Sequence, residues 1–231
     1  VTSISDSLDF FEAISGNRVH EVNRAPFYAS HEALHLHYEQ AQTRFIERQG
    51  RWYNLSTHLP WIGMRTADLG GAHVEFCRGI SNPVGVKVGP AMDAEWVQGL
   101  CEMLNPDREP GRLVLIHRMG ARAVEAKLPP LVEAVRSTGI PVLWVCDPMH
   151  GNTESTNSGV KTRRFENIVT ELDMSFRIHR ELGTHLGGVH FELTGEDVTE
   201  CIGGARGLVE GDLARAYRTQ VDPRSEARRV G

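Results

Sequence analysis

Three segments of this chain carry side chains that bind metal ions, and each follows or ends an apolar run that predicts a buried strand. The segments are CDPMHGNT (146–153), GGVHFELTGE (187–196) and VDPR (221–224). If those strands are parallel neighbours, His150, Glu192 and Asp222 leave the same edge of one sheet. One imidazole and two carboxylates at one edge are a ligand set for a divalent cation. The pattern therefore predicts a metal site at a strand-end rim, where α/β barrels carry their catalytic groups.

A second group of charged residues precedes these segments, and all of its members are cationic. Arg65, Lys87 and Arg118 stand at the ends of successive predicted strands, and Lys87 interrupts the apolar run 83–88. A lysine inside a buried strand is unfavourable unless an anionic group meets it. Guanidinium groups grip phosphate and carboxylate oxygens bidentately. The pattern therefore predicts a clamp for a phosphorylated or carboxylated ligand beside the metal site.

Each of these residues taken alone has an ordinary structural explanation. An arginine at a strand end is commonly solvated or ion-paired, and a loop histidine such as His150 is commonly hydrogen-bonded to its neighbours. Asp147 and Asp222 both precede proline, which is a frequent turn signal. Other polar or thiol side chains are interpreted as structural or buried: His58, His73, His190, Cys146 and Cys201. The functional interpretation depends on the succession of strand ends, first cationic and then of metal-binding type.

The elements that must position these residues alternate between strand and helix. Predicted strands cover 27–30, 53–62, 83–88, 113–116, 142–145 and 189–193, and predicted helices cover 31–49, 71–80, 93–104, 121–138, 165–182 and 197–201. Strands that are apolar throughout are typical of a parallel sheet covered by helices. We predict an α/β fold of the (β/α)8 TIM-barrel type, represented by about six β/α units and therefore incomplete. Residues 1–24 are predicted to form an N-terminal helical segment, and 25–231 a partial barrel catalytic domain.

The composition is that of a soluble globular protein. The chain has 231 residues, of which 40% are hydrophobic and 24% charged, and its formal charge is −5. This charge gives no basic field for nucleic acid, and no apolar run approaches the roughly 18 residues of a membrane span. The first residues, VTSISD, do not resemble a signal peptide, and the four cysteines show no close pairing. We therefore expect a cytoplasmic protein with reduced thiols and neither nucleic acid nor membrane as a partner.

The motifs together resemble a known family, the type II 3-deoxy-D-arabino-heptulosonate 7-phosphate (DAHP) synthases. The matching stretches span nearly the whole chain from residue 28, and the one at 147–153 is the most specific. They are YASHEAL (28–34), WIG (61–63), NPVGVK (82–87), PGRL (110–113), RMG (118–120), CDPMHGNT (146–153), KTR (161–163), DVTEC (197–201) and DPR (222–224). These enzymes are (β/α)8 barrels that catalyse the first step of the shikimate pathway to aromatic amino acids.

The resemblance implies roles for the strand-end residues. His150, Glu192 and Asp222 would bind a divalent metal, with manganese expected first and cobalt or zinc as alternatives. Lys87 and Arg118, with Arg65, would surround phosphoenolpyruvate, and Glu32 matches an acidic residue of the same pocket. The implied catalytic residues are Lys87, Arg118 and His150, and the implied substrates are phosphoenolpyruvate and an aldose phosphate.

The departures from the family pattern concern the first part of the barrel. Family members are about twice as long, so we expect the first two strands to be missing, with a cysteine ligand, an arginine for phosphoenolpyruvate and a Lys-Pro-Arg-Ser segment for the aldose phosphate. Met64 stands where the family has a glutamate. A sheet of six strands exposes two edges, so we expect a homo-oligomer.

Two main functional hypotheses follow. The first is a metal-dependent, aldol-type condensation of phosphoenolpyruvate with an aldehyde, which is erythrose 4-phosphate in the family. The second is a catalytically inactive relative that binds a phosphorylated ligand or partners a full-length synthase, and a fragment or degraded gene product is a third alternative. We expect the chain to bind phosphoenolpyruvate but to condense it with erythrose 4-phosphate slowly or not at all.

Overall fold

The computed structural model describes residues 28–226, so the predicted N-terminal segment 1–24 lies outside the described residues. The strands are β1 (Ser30–Glu32), β2 (Thr43–Ile46), β3 (Arg51–Asn54), β4 (Leu59–Ile62), β5 (Val84–Val88), β6 (Leu113–His117), β7 (Leu143–Cys146), β8 (Thr153–Ser155), β9 (Lys161–Arg163), β10 (Leu186–Val189), β11 (Leu193–Thr194) and β12 (Ser225–Glu226). The α-helices are α1 (Leu36–Gln42), α2 (Ala72–Gly79), α3 (Ala94–Leu104), α4 (Val124–Thr138) and α5 (Phe165–Glu181).

Six of these strands form one parallel sheet in the order β1-β4-β5-β6-β7-β10. Along this sheet the strands follow chain order without a reversal, and α2 to α5 occupy successive connections from β4 to β10. Parallel neighbours require such crossover connections, because the chain must return to the same end of the sheet. The predicted α/β class and parallel sheet are confirmed.

The two faces of the central strands carry different side chains. Val84, Val86 and Val88 of β5 belong to the hydrophobic core that the helices cover, and strand geometry places Lys87 on the opposite face. On β6 the core members are Leu113 and Leu115. Both faces of β5 are buried, which explains why its sequence is almost continuously apolar.

Local signals fix the ends of the helices around this core. The Asp93 side chain accepts a 2.8 Å hydrogen bond from the backbone N–H of Trp96 and so caps α3. Gly139 ends α4 in the left-handed conformation with φ of 66°, which glycine adopts without steric cost. The sequence predicted both ends.

Several predicted elements differ from the structure. The predicted helix 31–49 is wrong: it is replaced by β1, the short α1 and an antiparallel hairpin of β2 with β3. The predicted strand 53–62 contains the end of that hairpin and then β4. The predicted strand 189–193 is displaced, since β10 ends at Val189, and the predicted helix 197–201 is absent from the described structure, where a 3₁₀ helix instead covers Glu210–Arg215. No helix within 28–226 is long and apolar enough to cross a membrane.

Candidate active site

The carboxyl end of the sheet places its functional residues in one row. The parallel ladder continues one residue past the strands: Arg118 N–H donates to Val88 O, Asp147 N–H to His117 O and His190 N–H to Cys146 O, each at 2.8 Å. Arg118, Asp147 and His190 therefore stand side by side at one edge. This edge is the rim at which the sequence predicted that the strand-end residues would meet.

A cavity of about 380 Å³ opens on this rim. Six of the predicted site residues line it: Glu32, Arg65, Lys87, Arg118, His150 and Asp222. Trp61, Thr153 and His190 add lining that the sequence did not single out for function. The volume falls within the range of roughly 300–1,000 Å³ typical of small-molecule sites. The structure thus brings the predicted cationic residues, with His150 and Asp222, to one cavity, whereas the predicted ligand Glu192 is not among its lining residues.

Asp147 links the two predicted groups. Its carboxylate is fully buried, accepts a very short hydrogen bond from Lys87 Nζ, and lies 2.8 Å from His150 Nδ1. Two backbone N–H groups, of Met149 and His150, also donate to its Oδ1. Burial acts to raise the pKa of Asp147, but the His150 hydrogen bond and the adjacent Lys87 outweigh it and hold the pKa below its ordinary value. Asp147 is therefore an ionised anchor for both a clamp residue and a candidate ligand.

His150 is oriented for binding through its other ring nitrogen. Because Nδ1 faces Asp147, Nε2 is left to face Glu192 Oε2 at 3.5 Å. Both side chains are about one quarter exposed (27% and 25%). A histidine whose second nitrogen is held by a carboxylate is the usual arrangement of a metal ligand.

The two candidate carboxylate ligands are each held by a cation. Glu192 Oε2 accepts a 2.8 Å hydrogen bond from Arg163 Nη1, and the Arg163 side chain is completely buried. Asp222 Oδ1 lies 3.1 Å from Lys161 Nζ. Burial acts to raise the pKa of Asp222, and Lys161, with help from Arg163 and His150, lowers it below its ordinary value. Both arginine and lysine come from β9, next to the rim.

The segment that carries Asp222 is fixed by a buried glutamate. Glu200 has no exposed surface and accepts hydrogen bonds from the backbone N–H groups of Arg218, Thr219 and Arg224. The Arg224 guanidinium also donates to both Glu200 oxygens at 3.0 and 2.8 Å. This bidentate pair and the three backbone bonds explain why the motifs around 200 and 222 belong together.

The cationic residues remain open to a ligand. Arg118 donates from Nη2 to the carbonyl of His150, while its buried Nε has no hydrogen-bond partner among residues 28–226. Lys87 Nζ lies 5.7 Å from the ring centre of Trp61. Burial lowers the pKa of Lys87, and Asp147 counteracts this effect. Arg65, in a 3₁₀ helix over Met64–Thr66, is exposed at the mouth. An anion in the cavity would meet three positive side chains here.

His150 and Glu192 give the rim a set of donor atoms that fits a divalent cation. Imidazole nitrogen and carboxylate oxygen suit zinc, manganese and cobalt, and Asp147 supplies the supporting carboxylate. The ligand atoms of His150, Glu192 and Asp222 do not all lie within 4.8 Å of one another. Within 28–226, only a different group of three buried residues meets that distance. Glu192 and Asp222 are turned towards Arg163 and Lys161 instead.

Three contributors to this site were missed by the sequence reasoning. Asp147 was interpreted as a turn residue, although its position between a buried strand and His150 was a signal for a supporting carboxylate. His190 was interpreted as structural, but it lines the cavity with its ring 5.1 Å from that of Trp61. Burial, followed by the nearby Lys87, lowers the pKa of His190 to about 4. Arg163 carried no signal beyond its place in the KTR motif.

Comparison with known proteins identifies the family of this chain. The sequence profile of the class-II DAHP synthetase family matches residues 1–230. The phospho-2-dehydro-3-deoxyheptonate aldolase of Streptomyces coelicolor is 49% identical over 221 residues, covering 96% of this chain and 49% of that protein. Phospho-2-dehydro-3-deoxyheptonate aldolase AroG of Mycolicibacterium smegmatis is 48% identical over 226 residues, covering 96% of this chain and 48% of that protein.

Among solved structures, phospho-2-dehydro-3-deoxyheptonate aldolase from Francisella tularensis aligns with a TM-score of 0.44 and 16% identity, over 75% of this chain and 52% of that one. The sheet and its rim define an α/β protein with a polar cavity at the carboxyl ends of parallel strands. The chain belongs to the class-II DAHP synthetase family, as its motifs predicted. It spans about half the length of the curated relatives that it matches.

Proposed function

We propose that the rim cavity binds phosphoenolpyruvate beside a divalent cation and serves an aldol-type condensation with an aldehyde, erythrose 4-phosphate in the family. The observation that carries the proposal is the Lys87–Asp147–His150 linkage, which joins an anion-binding side chain to a metal-type side chain through one buried carboxylate. Membership in the class-II DAHP synthetase family supports the same reaction.

The clamp suits an anion that carries both a phosphate and a carboxylate. Arg65, Lys87 and Arg118 supply three positive side chains around the cavity. Lys87 lines the cavity and is held by Asp147, and Arg118 keeps an unpartnered Nε within the described residues. Glu32 lines the side of the cavity next to Gly63 and excludes further anionic groups there by repulsion. The arrangement orients one small, doubly anionic substrate and does not merely attract negative charge.

His150, Glu192 and Asp222 would hold the cation, with manganese as the first candidate. When bound, it supplies a Lewis acid for the aldehyde oxygen. Asp147 keeps the proton of His150 on Nδ1 and thereby leaves the Nε2 lone pair for a ligand role. Arg163 and Lys161 balance the charges of the two carboxylates.

The overall reaction balances with the substrates named. C3 of phosphoenolpyruvate forms a bond to the aldehyde carbon, and the aldehyde oxygen takes up a proton. Water adds to C2, and inorganic phosphate leaves as the bond between C2 and the phosphate oxygen breaks. Lys87 and Arg118 remain on the phosphate and carboxylate oxygens throughout, which places C3 for attack and stabilises the departing phosphate.

The sheet supports a barrel as the frame for this chemistry. We propose that 25–231 is part of a (β/α)8 barrel, because the strands of its parallel sheet follow chain order without reversal and Arg118, Asp147 and His190 follow the carboxyl ends of their strands. A doubly wound sheet would reverse its strand order at the ligand site. A second subunit against the edge strands β1 and β10 is part of the same proposal.

The test is aldehyde-dependent release of phosphate. Manganese-loaded protein is incubated with phosphoenolpyruvate and a panel of aldehydes that includes erythrose 4-phosphate, beside His150→Ala and the control His37→Ala, at an exposed histidine outside the cavity. We expect release with at least one aldehyde for the unmodified chain and the control, and none for His150→Ala. Binding of phosphoenolpyruvate without release for any aldehyde would favour the inactive, ligand-binding alternative.

A further inference from the structure

Behind the rim, on the helix side of the sheet, lies a second cluster of metal-type side chains. Its members are His117 at the end of β6, Cys146 at the end of β7 and Glu171 in α5, and all are fully buried. Their ligand atoms all lie within 4.8 Å of one another. Register explains the meeting, since His117 and Cys146 are direct partners across the β6–β7 ladder. We call this group the buried cluster.

The buried cluster is separate from the rim cavity. His117 follows Leu113 and Leu115 at intervals of two residues along β6, so it lies on the same face of the strand, towards the helix-covered core. Cys146 itself belongs to that core, whereas Lys87 on the neighbouring strand faces the cavity. None of the three cluster residues lines the cavity. A ligand in the cluster would therefore occupy a different site from phosphoenolpyruvate.

His117 is the residue that points to a ligand. It has no exposed surface, and neither of its ring nitrogens has a hydrogen-bond partner within 28–226. A buried polar group without a partner loses its hydration and gains no hydrogen bond in return, so native proteins rarely keep one without a reason. Nearby, His179 is also buried and its Nε2 is likewise unpartnered, while its Nδ1 lies 2.8 Å from Thr184 Oγ1. The rings of His117 and His179 are 6.1 Å apart.

Glu171 is held in place as a ligand would be. Its Oε1 accepts hydrogen bonds from the backbone N–H groups of Met119 and Gly120 at 2.7 and 2.9 Å, and its Oε2 accepts one from Asn152 Nδ2 at 2.7 Å. Two carboxylate oxygens offer about four acceptor positions, so a position remains open. These bonds also tie the cluster to the two rim loops that carry Arg118 and His150.

The geometry needs only a small contraction to close around an ion. Zinc binds thiolate, imidazole and carboxylate at about 2.0–2.3 Å in a tetrahedron, which separates neighbouring donors by roughly 3.3–3.8 Å. Closing from 4.8 Å or less is therefore a contraction of at most about 1.0–1.5 Å per pair. Thiolate with imidazole selects zinc over magnesium or calcium, and a closed, buried site is structural in type.

We propose that His117, Cys146 and Glu171 form a buried structural site for a zinc-type cation, with His179 as the fourth donor. The ion would pin the ends of β6 and β7 to α5 directly beneath the rim. Burial, and secondarily His179, lowers the pKa of His117 to about 3, so its imidazole is neutral as a ligand must be. Burial raises the pKa of the Cys146 thiol and that of Glu171, so an incoming cation would have to displace the thiol proton.

Cobalt substitution tests the proposal, because a thiolate bound to cobalt gives a charge-transfer absorption that nitrogen and oxygen ligands do not give. The unmodified chain is produced in cobalt-supplemented medium, so that the ion is present while it folds. The proposed rim ligands contain no sulfur, so such a band can come only from a cysteine. We expect this band in the unmodified chain, and its absence would overturn the proposal whatever the rim site does.

Variants then assign the band. Cys146→Ser and the near-isosteric Glu171→Gln should each lower the thiolate-bound cobalt by at least about tenfold, as loss of a supporting group alone lowers metal affinity about 10–100-fold. Cys101→Ser, at a buried thiol of α3 remote from the cluster, should keep the band. Circular dichroism confirms that each variant is folded. Persistence of the band in folded Cys146→Ser would contradict the assignment, and Glu171→Gln decides the question should the serine variant not fold.

Discussion

Asp147→Asn is the substitution that probes the rim most sharply. The asparagine has nearly the same shape and keeps an oxygen for the backbone N–H groups of Met149 and His150, which now donate to Oδ1. It removes the negative charge that holds Lys87 and lies against His150 Nδ1. The perturbation is therefore electrostatic and leaves the packing of a fully buried position almost unchanged.

The expected effect follows from the two contacts. Loss of the carboxylate behind a metal-binding histidine lowers metal affinity by about 10–100-fold, which corresponds to about 1.4–2.7 kcal/mol. Lys87 loses its partner inside a low-dielectric site, and breaking a buried pair costs about 3–5 kcal/mol of stability. Because the Lys87 side chain borders the cavity and is 8% exposed, water solvates it in part. The observed loss of stability should therefore be about 3 kcal/mol or less.

The assay is calorimetric titration of manganese into each variant, combined with thermal unfolding. Asp173→Asn is the matched control, since it makes the same chemical change at an exposed position of α5. We expect weaker manganese binding and a lower melting temperature for Asp147→Asn, and neither change for the control. Unchanged manganese affinity in a folded Asp147→Asn protein would refute the view that Asp147 supports a ligand.

Two further predictions concern the anion clamp and the carboxyl-terminal segment. Lys87→Ala should weaken phosphoenolpyruvate binding by about 1.5–3 kcal/mol, the value of a hydrogen bond to a charged group, whereas the exposed Lys127→Ala should leave it unchanged in calorimetry. The pKa of Glu200 is lowered: burial acts to raise it, but the hydrogen bonds from Arg224 outweigh that effect. Its stabilising contribution is therefore present above the ordinary glutamate pKa of about 4.3 and is lost as the pH falls through the lower folded value. Glu200→Gln should lower the melting temperature at pH 7 and flatten its decline in acid, and the exposed Glu133→Gln should do neither.

The sequence predicted well wherever one local rule decided the structure. Strands β5 and β6 were predicted because a strand buried on both faces must be apolar throughout. Asp93 and Gly139 act within a single turn, so the ends of α3 and α4 could be read directly. The strand-end charges could be assigned to one rim because parallel strands share an edge.

The region after β1 could not be predicted in this way. Leu34, Tyr38 and Phe45 have helical spacing, but all three are largely exposed, so no core stabilises a long helix there. The chain turns instead around Glu39, whose buried carboxylate accepts hydrogen bonds from Asn54 and Ser56 in the neighbouring segment. A polar network between distant positions leaves no periodic signal in a single sequence.

The candidate site shows the same limit. His150 and Lys87 were identified from their types and positions, but the buried Asp147 that joins them was interpreted as part of a turn. Arg163 reaches Glu192 from β9, a strand for which the sequence predicted no element. Ligand types can be predicted from the sequence, whereas the groups that orient them depend on contacts between loops.

Phosphorus nuclear magnetic resonance of phosphoenolpyruvate with manganese-loaded protein tests the central claim most directly, because bound manganese relaxes only nuclei close to it. If Lys87, Arg118 and Arg65 hold the substrate beside His150, Glu192 and Asp222, the phosphorus should relax much faster with the unmodified protein than with manganese alone. His150→Ala and Lys87→Ala should each remove the enhancement, the first by loss of the ion and the second by loss of the substrate. Bound phosphoenolpyruvate whose phosphorus relaxation is equal in the unmodified protein and in His150→Ala would contradict a shared site.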